Sequence, residues 1–181
     1  MMNSDLLRIM YAPLDYIHSN HFAAPTVTLT PALEQAINHT LIQRYALSTE
    51  INFLPQSSDF SQRLVSEWKN IPAAAWLLGC KLARGSLARS GQLATLPTIA
   101  RRFIELPIAC PAIELATPLV KSSLAVHGGR YLFLLKQNLP AALGQRLPLF
   151  FESDMAVEHH RCTLNRSLLT FAFDYAKNSI H

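Results

Sequence analysis

Residues 72–91 read PAAAWLLGCKLARGSLARSG, and from Asn70 to Cys80 the chain carries no charge, although Gly79 and Gly85 interrupt an otherwise helical pattern. Such a stretch is a membrane-inserting segment, the mouth of an active site, or the centre of a helical core. The uncharged run is about half of the ~20 residues that a spanning helix needs, so the membrane option falls. Ala73, Trp76, Leu77, Cys80, Ala83 and Leu87 recur at steps of three and four, which leaves Lys81, Arg84 and Arg89 for the other sides. Each glycine costs roughly 1 kcal/mol against alanine in a helix interior. That cost is tolerated where a second backbone comes close. Pro72 starts the element and Gly91 stops it in the left-handed conformation. A central, closely packed core helix is expected.

The flanking sequence reads as further helices. Thr30 caps, Pro31 suits a first helical position, and Leu33, Ile37, Leu41 and Tyr45 form a buried face at steps of four. Asp59 and Gln62 have capping-box spacing, followed by a buried stripe of Leu64, Val65 and Trp68. Pro97 opens a short helix that turns Ile99 and Phe103 inward and Arg101 and Arg102 to solvent. Thr117 and Pro118 repeat the cap-and-proline start, and His127-Gly128-Gly129 gives a stop. The run RYLFLLKQNL that begins at Arg130 fits a strand or a helix by period. Pro140 and Pro148 bracket another short turn. A long amphipathic helix over about 153–178, capped by Ser153, carries Met155, Cys162, Leu168, Leu169, Ala172 and Tyr175. Residues 1–29 read as mostly irregular, and Pro107, Pro111 and Pro118 make 106–118 a loop. The expected architecture is all-α, one irregular globular helical domain over 1–181 with little or no β-structure.

The chemistry of the chain is sparse. Half of the 181 residues are hydrophobic and 15% are charged, which excludes a disordered chain and allows a real core. Sixteen Lys and Arg against 12 Asp and Glu give +4 without a basic run, short of the dense stripe of a nucleic-acid binder. Cys80, Cys110 and Cys162 form no CxxC pair and suit a reducing compartment. The start MMNSDLLRIM has Asp5 and no basic n-region, so no signal peptide is expected and the chain reads as cytoplasmic. Glu158, His159 and Cys162 share a helical neighbourhood, but no second ligand pair completes a metal site. His127-Gly128-Gly129 has an oxyanion-loop composition without any G-x-S-x-G elbow. Cys80 lies in apolar sequence that blunts a thiol. No phosphate loop, dinucleotide fingerprint or carboxylate pair occurs. The chain reads as a non-enzyme with no cofactor and no metal. Arg84, Arg89, Arg101 and Arg102 make a candidate basic surface, against the alternative of an ordinary solvated face.

Three stretches resemble the small type III secretion proteins of the OrgA and MxiK kind, the SctK group: YAPLDYIH from Tyr11, residues 67–97 (EWKNIPAAAWLLGCKLARGSLARSGQLATLP), and residues 139–151 (LPAALGQRLPLFF). Residues 106–139 match little. The resemblance implies a non-enzymatic cytoplasmic adaptor of the sorting platform, peripheral at the inner-membrane base of the apparatus. Its implied partners are the SctQ-type pod protein and the SctD-type inner-membrane ring cytoplasmic domain, with an indirect link to the export ATPase and its stalk. Neither nucleic acid nor membrane insertion is implied. Trp68, Pro72, Trp76, Leu77, Gly79 and Cys80 match the family's motif, fall on the expected core helix and are read as fold-making. The partner surface is then sought elsewhere, with the four arginines as candidates. The competing class is a helical nucleic-acid binder that uses those arginines, which a steep salt dependence would reveal.

Overall fold

The computed structural model describes residues 4–23, 28–51, 59–116, 118–152 and 163–178. Among them the secondary structure is helical throughout and no strand occurs. The α-helices are α1 (Ser4–Tyr11), α2 (Pro31–Arg44), α3 (Asp59–Ser66), α4 (Ile71–Leu82), α5 (Arg84–Arg89), α6 (Thr98–Glu105), α7 (Lys121–Leu132), α8 (Ala141–Gly144) and α9 (Arg166–Lys177), joined in places by 3-10 turns. The chain divides into two compact units, residues 1–69 with 135–154, and residues 70–134 with 155–181.

The second unit is built on α4, which packs against α6, α7 and α9. Leu77 and Cys80 are fully buried, as the period requires, and Gly91 adopts φ +73°. The expected continuous helix is nevertheless broken at Ala83, where φ −90° and ψ 15° end α4 before α5 begins. Gly79 shows why alanine is excluded: a Cβ there would stand 1.8 Å from the Leu124 carbonyl oxygen on α7. The answering residue is Gly128, whose Cβ would stand 1.7 Å from the Ala75 carbonyl oxygen. His127-Gly128-Gly129 therefore does not stop a helix, because α7 runs through it to Leu132 and uses Gly128 to let two backbones touch. The helix also begins at Lys121, after Val120, three residues beyond the Pro118 start that the sequence suggests. The ambiguous run from Arg130 is helical, as the end of α7 and a 3-10 turn Phe133–Asn138.

Lys81 departs most from its expected placement. It is 1% exposed, and its ammonium donates to the carbonyls of Ile104 at 2.9 Å, Leu106 at 2.7 Å and Phe103 at 3.4 Å. Two of these belong to the last turn of α6, where intrahelical donors have run out. A helix C-terminus also favours a cation. Burial pulls the Lys81 ammonium below its ordinary range.

In the first unit, Arg146 is fully buried and performs the same task on α1. Its guanidinium donates to Ile9 O at 3.2 Å, Met10 O at 2.8 Å, Ser48 O at 2.8 Å and Ala142 O at 2.8 Å. One planar group thereby ties the end of α1, the segment after α2 and the body of α8. Tyr16 stacks on Phe150 at 5.1 Å and meets Trp68 edge-on at 5.7 Å, while its hydroxyl donates to Ile9 O at 2.8 Å. Leu64, Val65 and Trp68 are buried as expected. The N-terminal segment is more regular than its sequence suggests, with α1 burying Leu6, Ile9 and Met10 at steps of three and four.

Thr30 does cap α2, accepting from Leu33 N at 3.3 Å, but Leu33 is 44% exposed and Leu41 is the residue of that face that is buried. The terminal helix α9 starts at Arg166, with Asn165 as its cap accepting from Leu168 N at 3.2 Å, and residues 163–165 are not helical. The expected cap Ser153 and the residues Met155 and Cys162 lie outside the described residues, as does Thr117.

Two sets of substitutions check this account in urea unfolding. Gly79→Ala and Gly128→Ala each lower stability by on the order of 3 kcal/mol or prevent folding, because a backbone must move. Gly85→Ala, whose Cβ would meet only side-chain atoms at 3.5 and 3.8 Å, is neutral or gains up to ~1 kcal/mol. Arg146→Leu removes a donor from four carbonyls, of which Ile9 O keeps the Tyr16 hydroxyl and Ser48 O is only part-buried, and costs at least ~3 kcal/mol. Arg146→Lys recovers only part of that, since an ammonium cannot reproduce the guanidinium fork.

Candidate partner-binding surface

The candidate surface is formed by α5, α6 and the 3-10 turn Gln92–Thr95 between them. The chain reverses at Gly91, and the Gln92 side chain then pins the turn: its amide nitrogen donates to Leu119 O at 2.8 Å and its oxygen accepts from Leu119 N at 3.0 Å. Leu93 and Ile104 pack inward on the buried cluster of Cys80, Ala83, Leu87, Leu119 and Leu124. Their outer sides, with Ala88 and Ala94, line an open hollow of about 340 Å³ that Arg101 and Glu105 also line. The hollow is therefore floored by the edge of the core. No feature of the sequence pattern points to it, since α5 and α6 meet through a left-handed reversal.

All four arginines of the sequence-derived set are exposed, but the fold separates them into two pairs. Arg84 donates to Cys110 Sγ at 3.0 Å, and Arg89 is ion-paired with Glu114 and donates to Ser86 Oγ at 3.3 Å. Both are thus spent on holding the proline-rich loop, which lacks regular structure between residues 107 and 116. Arg101 donates to Thr98 Oγ1 at 3.3 Å, and among the described residues neither Arg101 nor Arg102 meets a carboxylate. These two remain available to a partner. The loop partners stand 25 and 26 residues away in sequence, a separation that no local pattern announces.

The motif residues lie mostly inside. Leu77, Gly79 and Cys80 are buried on α4, and Pro72 occupies its first turn. Trp76 is half-buried with the Lys121 ammonium 5.4 Å above its ring. Trp68 departs from the expectation of one core helix: it sits in the 3-10 turn Trp68–Asn70 and packs with Tyr16 and Phe150. Burial pushes the Cys80 thiol up to about 12, against 9.0 for an ordinary thiol. Among the described residues no three His, Cys, Asp or Glu side chains gather to hold a metal, and Glu158, His159, His160, Arg161 and Cys162 lie outside them. No described helix is long and apolar enough to cross a membrane.

Cys80 gives the fold a pH dependence of determined sign. The unfolded thiol ionises near 9.0 while the folded one resists to about 12, so the contribution is intact below pH 9 and is lost as pH rises between these values. The loss runs at up to ~1.4 kcal/mol per pH unit. Cys80→Ala shallows alkaline unfolding curves between pH 9 and 10, leaving above that the slope of the same sign from the Tyr16 phenol, which burial also raises from 10.0. In the native protein, maleimide labels Cys110, which is partly exposed, and leaves Cys80 unreacted until denaturant is added.

Comparison with known proteins aligns with these features. A family model described as "Bacterial type III secretion apparatus protein (OrgA_MxiK)" matches residues 6–178. The chain is 31% identical over 172 residues to "Oxygen-regulated invasion protein OrgA" of Salmonella typhimurium strain LT2, covering 94% of this chain and 85% of that protein. The OrgA proteins of strains SL1344 and 14028s match equally. No solved structure gives a significant match.

Proposed function

Because the chain belongs to the OrgA_MxiK family of bacterial type III secretion apparatus proteins, we propose that it is a non-enzymatic adaptor of the sorting platform. In this reading it joins the SctD-type cytoplasmic domain of the inner-membrane ring to the SctQ-type pod protein. It thereby helps to place the export ATPase and its stalk, and it stands in the cytoplasm at the inner-membrane base of the apparatus. The family match across residues 6–178 carries the reading. An adaptor needs rigid surfaces more than a reaction centre, and the chain's charged groups suit that need. Among the described residues the two buried cations, Lys81 and Arg146, are engaged with backbone carbonyls, and the buried Cys80 thiol is held protonated. Arg101 lines an apolar hollow and Arg102, next to it on α6, is likewise exposed, an arrangement in which charge speeds encounter and sets register.

Co-purification tests the proposal. The full chain, expressed with the SctQ-type protein and separately with the SctD-type cytoplasmic domain of the same secretion gene cluster, is expected to form a stable complex with each. Retention of neither by a chain that is helical and cooperatively folded overturns the adaptor reading. Nucleic-acid binding that weakens steeply with salt would then be the class to measure.

A further inference from the structure

The hollow between α5 and α6 has a composition that narrows what can occupy it. Its lining is apolar apart from Arg101 and Glu105, and both of these belong to an exposed helix face. A small-molecule site needs a few fixed polar groups to orient its ligand, and no buried polar side chain lines this hollow. A phosphate backbone carries no apolar group to fill this lining. A protein side chain needs only an apolar recess at a rigid place, with charged groups around it that exclude wrong partners.

Much of the chain's net charge lies on the segment that carries the hollow. Residues 84–105 hold four arginines against Glu105 alone, a net +3 out of +4 for the whole chain. Arg84 and Arg89 are tied to the proline-rich loop, which leaves Arg101 and Arg102 uncommitted on α6. The floor is rigid because Leu93 and Ile104 are also packed against the core cluster and Gln92 is doubly bonded to Leu119. A preorganised recess loses little ordering entropy when it is filled.

We propose that this hollow receives one aliphatic or aromatic side chain from an acidic segment of a protein partner, whose flanking carboxylates pair with Arg101 and Arg102. The proposal rests on the adaptor reading and locates one of its two surfaces. The acidic segment belongs to whichever of the SctQ-type or SctD-type partners binds here.

The test uses the full chain and both partners, with affinity and thermal midpoint measured together. Ala94→Trp fills the recess from one wall and Ala88→Trp from another, both at exposed positions. Arg101→Glu with Arg102→Glu reverses the charge. The expected result is that a filling variant and the charge reversal each weaken the same partner at least tenfold, leave the other partner unaffected and leave the midpoint unchanged. Wild-type affinity for that partner falls as salt is raised from 50 to 500 mM, and the charge-reversed protein loses this dependence. If the wild type binds and all these variants bind equally well, the hollow is not the surface and the inference fails while the adaptor reading stands. Weakening by charge reversal alone removes the anchor, weakening by filling alone removes the acidic partner, and either overturns the proposal. Binding of neither partner by the wild type overturns the adaptor reading, and this inference with it.

Discussion

The crossing of α4 and α7 is closer than any side chain permits, and the second unit is arranged around it. Gly79 admits the Leu124 carbonyl and Gly128 admits that of Ala75, so each helix supplies the missing Cβ that the other requires. Two glycines inside helices are unfavourable locally, by about 1 kcal/mol each. Their compensation is an extended contact between two twelve-residue helices, which allows Leu77 and Cys80 to be buried completely. Packing of this kind has no soft mode, because what touches is backbone. The edge of the resulting core, through Leu93 and Ile104, is also the floor of the candidate surface.

A second device recurs in both units. Helices end with carbonyls that lack intrahelical donors, and here the ends of α1 and α6 each receive one buried cation. Arg146 serves Ile9 and Met10, and Lys81 serves Phe103 and Ile104. Neither bond set includes a carboxylate, so the charge is balanced by oriented carbonyl dipoles. The geometry suits each residue type: the guanidinium fork spans four acceptors from three segments, while the compact ammonium meets three acceptors within a single helix end. Cations held this way fix where a helix stops and the direction in which the chain leaves it.

The division between what was legible in the sequence and what was not follows from how local each signal is. The core period of α4, the Thr30 cap and the left-handed Gly91 depend on neighbours within a few residues and read correctly. The close approach at Gly79 was also legible, whereas Gly85, read the same way, has no second backbone near its Cβ position. The counterpart of Gly79, Gly128, was misread because two adjacent glycines look like a stop unless the facing helix is known. Lys81 was placed on the outer sides of its helix and Arg146 drew no reading, because apart from Ala142, four residues before Arg146, their carbonyl acceptors lie 22 to 137 residues away. The α1 period of Leu6, Ile9 and Met10 was present but short, and the aromatic and proline-rich sequence after it made the whole stretch look irregular.

The same non-locality governs the candidate surface. By formal charge the four arginines are equivalent, and sequence grouping treats them as one patch. The fold distinguishes them by what stands opposite. Arg89 finds Glu114 and Arg84 finds the Cys110 sulfur, so these two hold a loop that contains no helix of its own. An exposed ion pair of that sort contributes ~1 kcal/mol at most, enough to bias a loop and far too little to define a fold. Arg101 and Arg102 face no carboxylate among the described residues, and Arg101 lines a recess whose apolar floor is fixed from beneath. The basic residues named here thus differ in kind: Lys81 and Arg146 clamp helix ends, Arg84 and Arg89 hold a loop, and Arg101 and Arg102 meet no carboxylate among the described residues. That difference is why the proposed partner surface is placed at α6 and not along the arginine set as a whole.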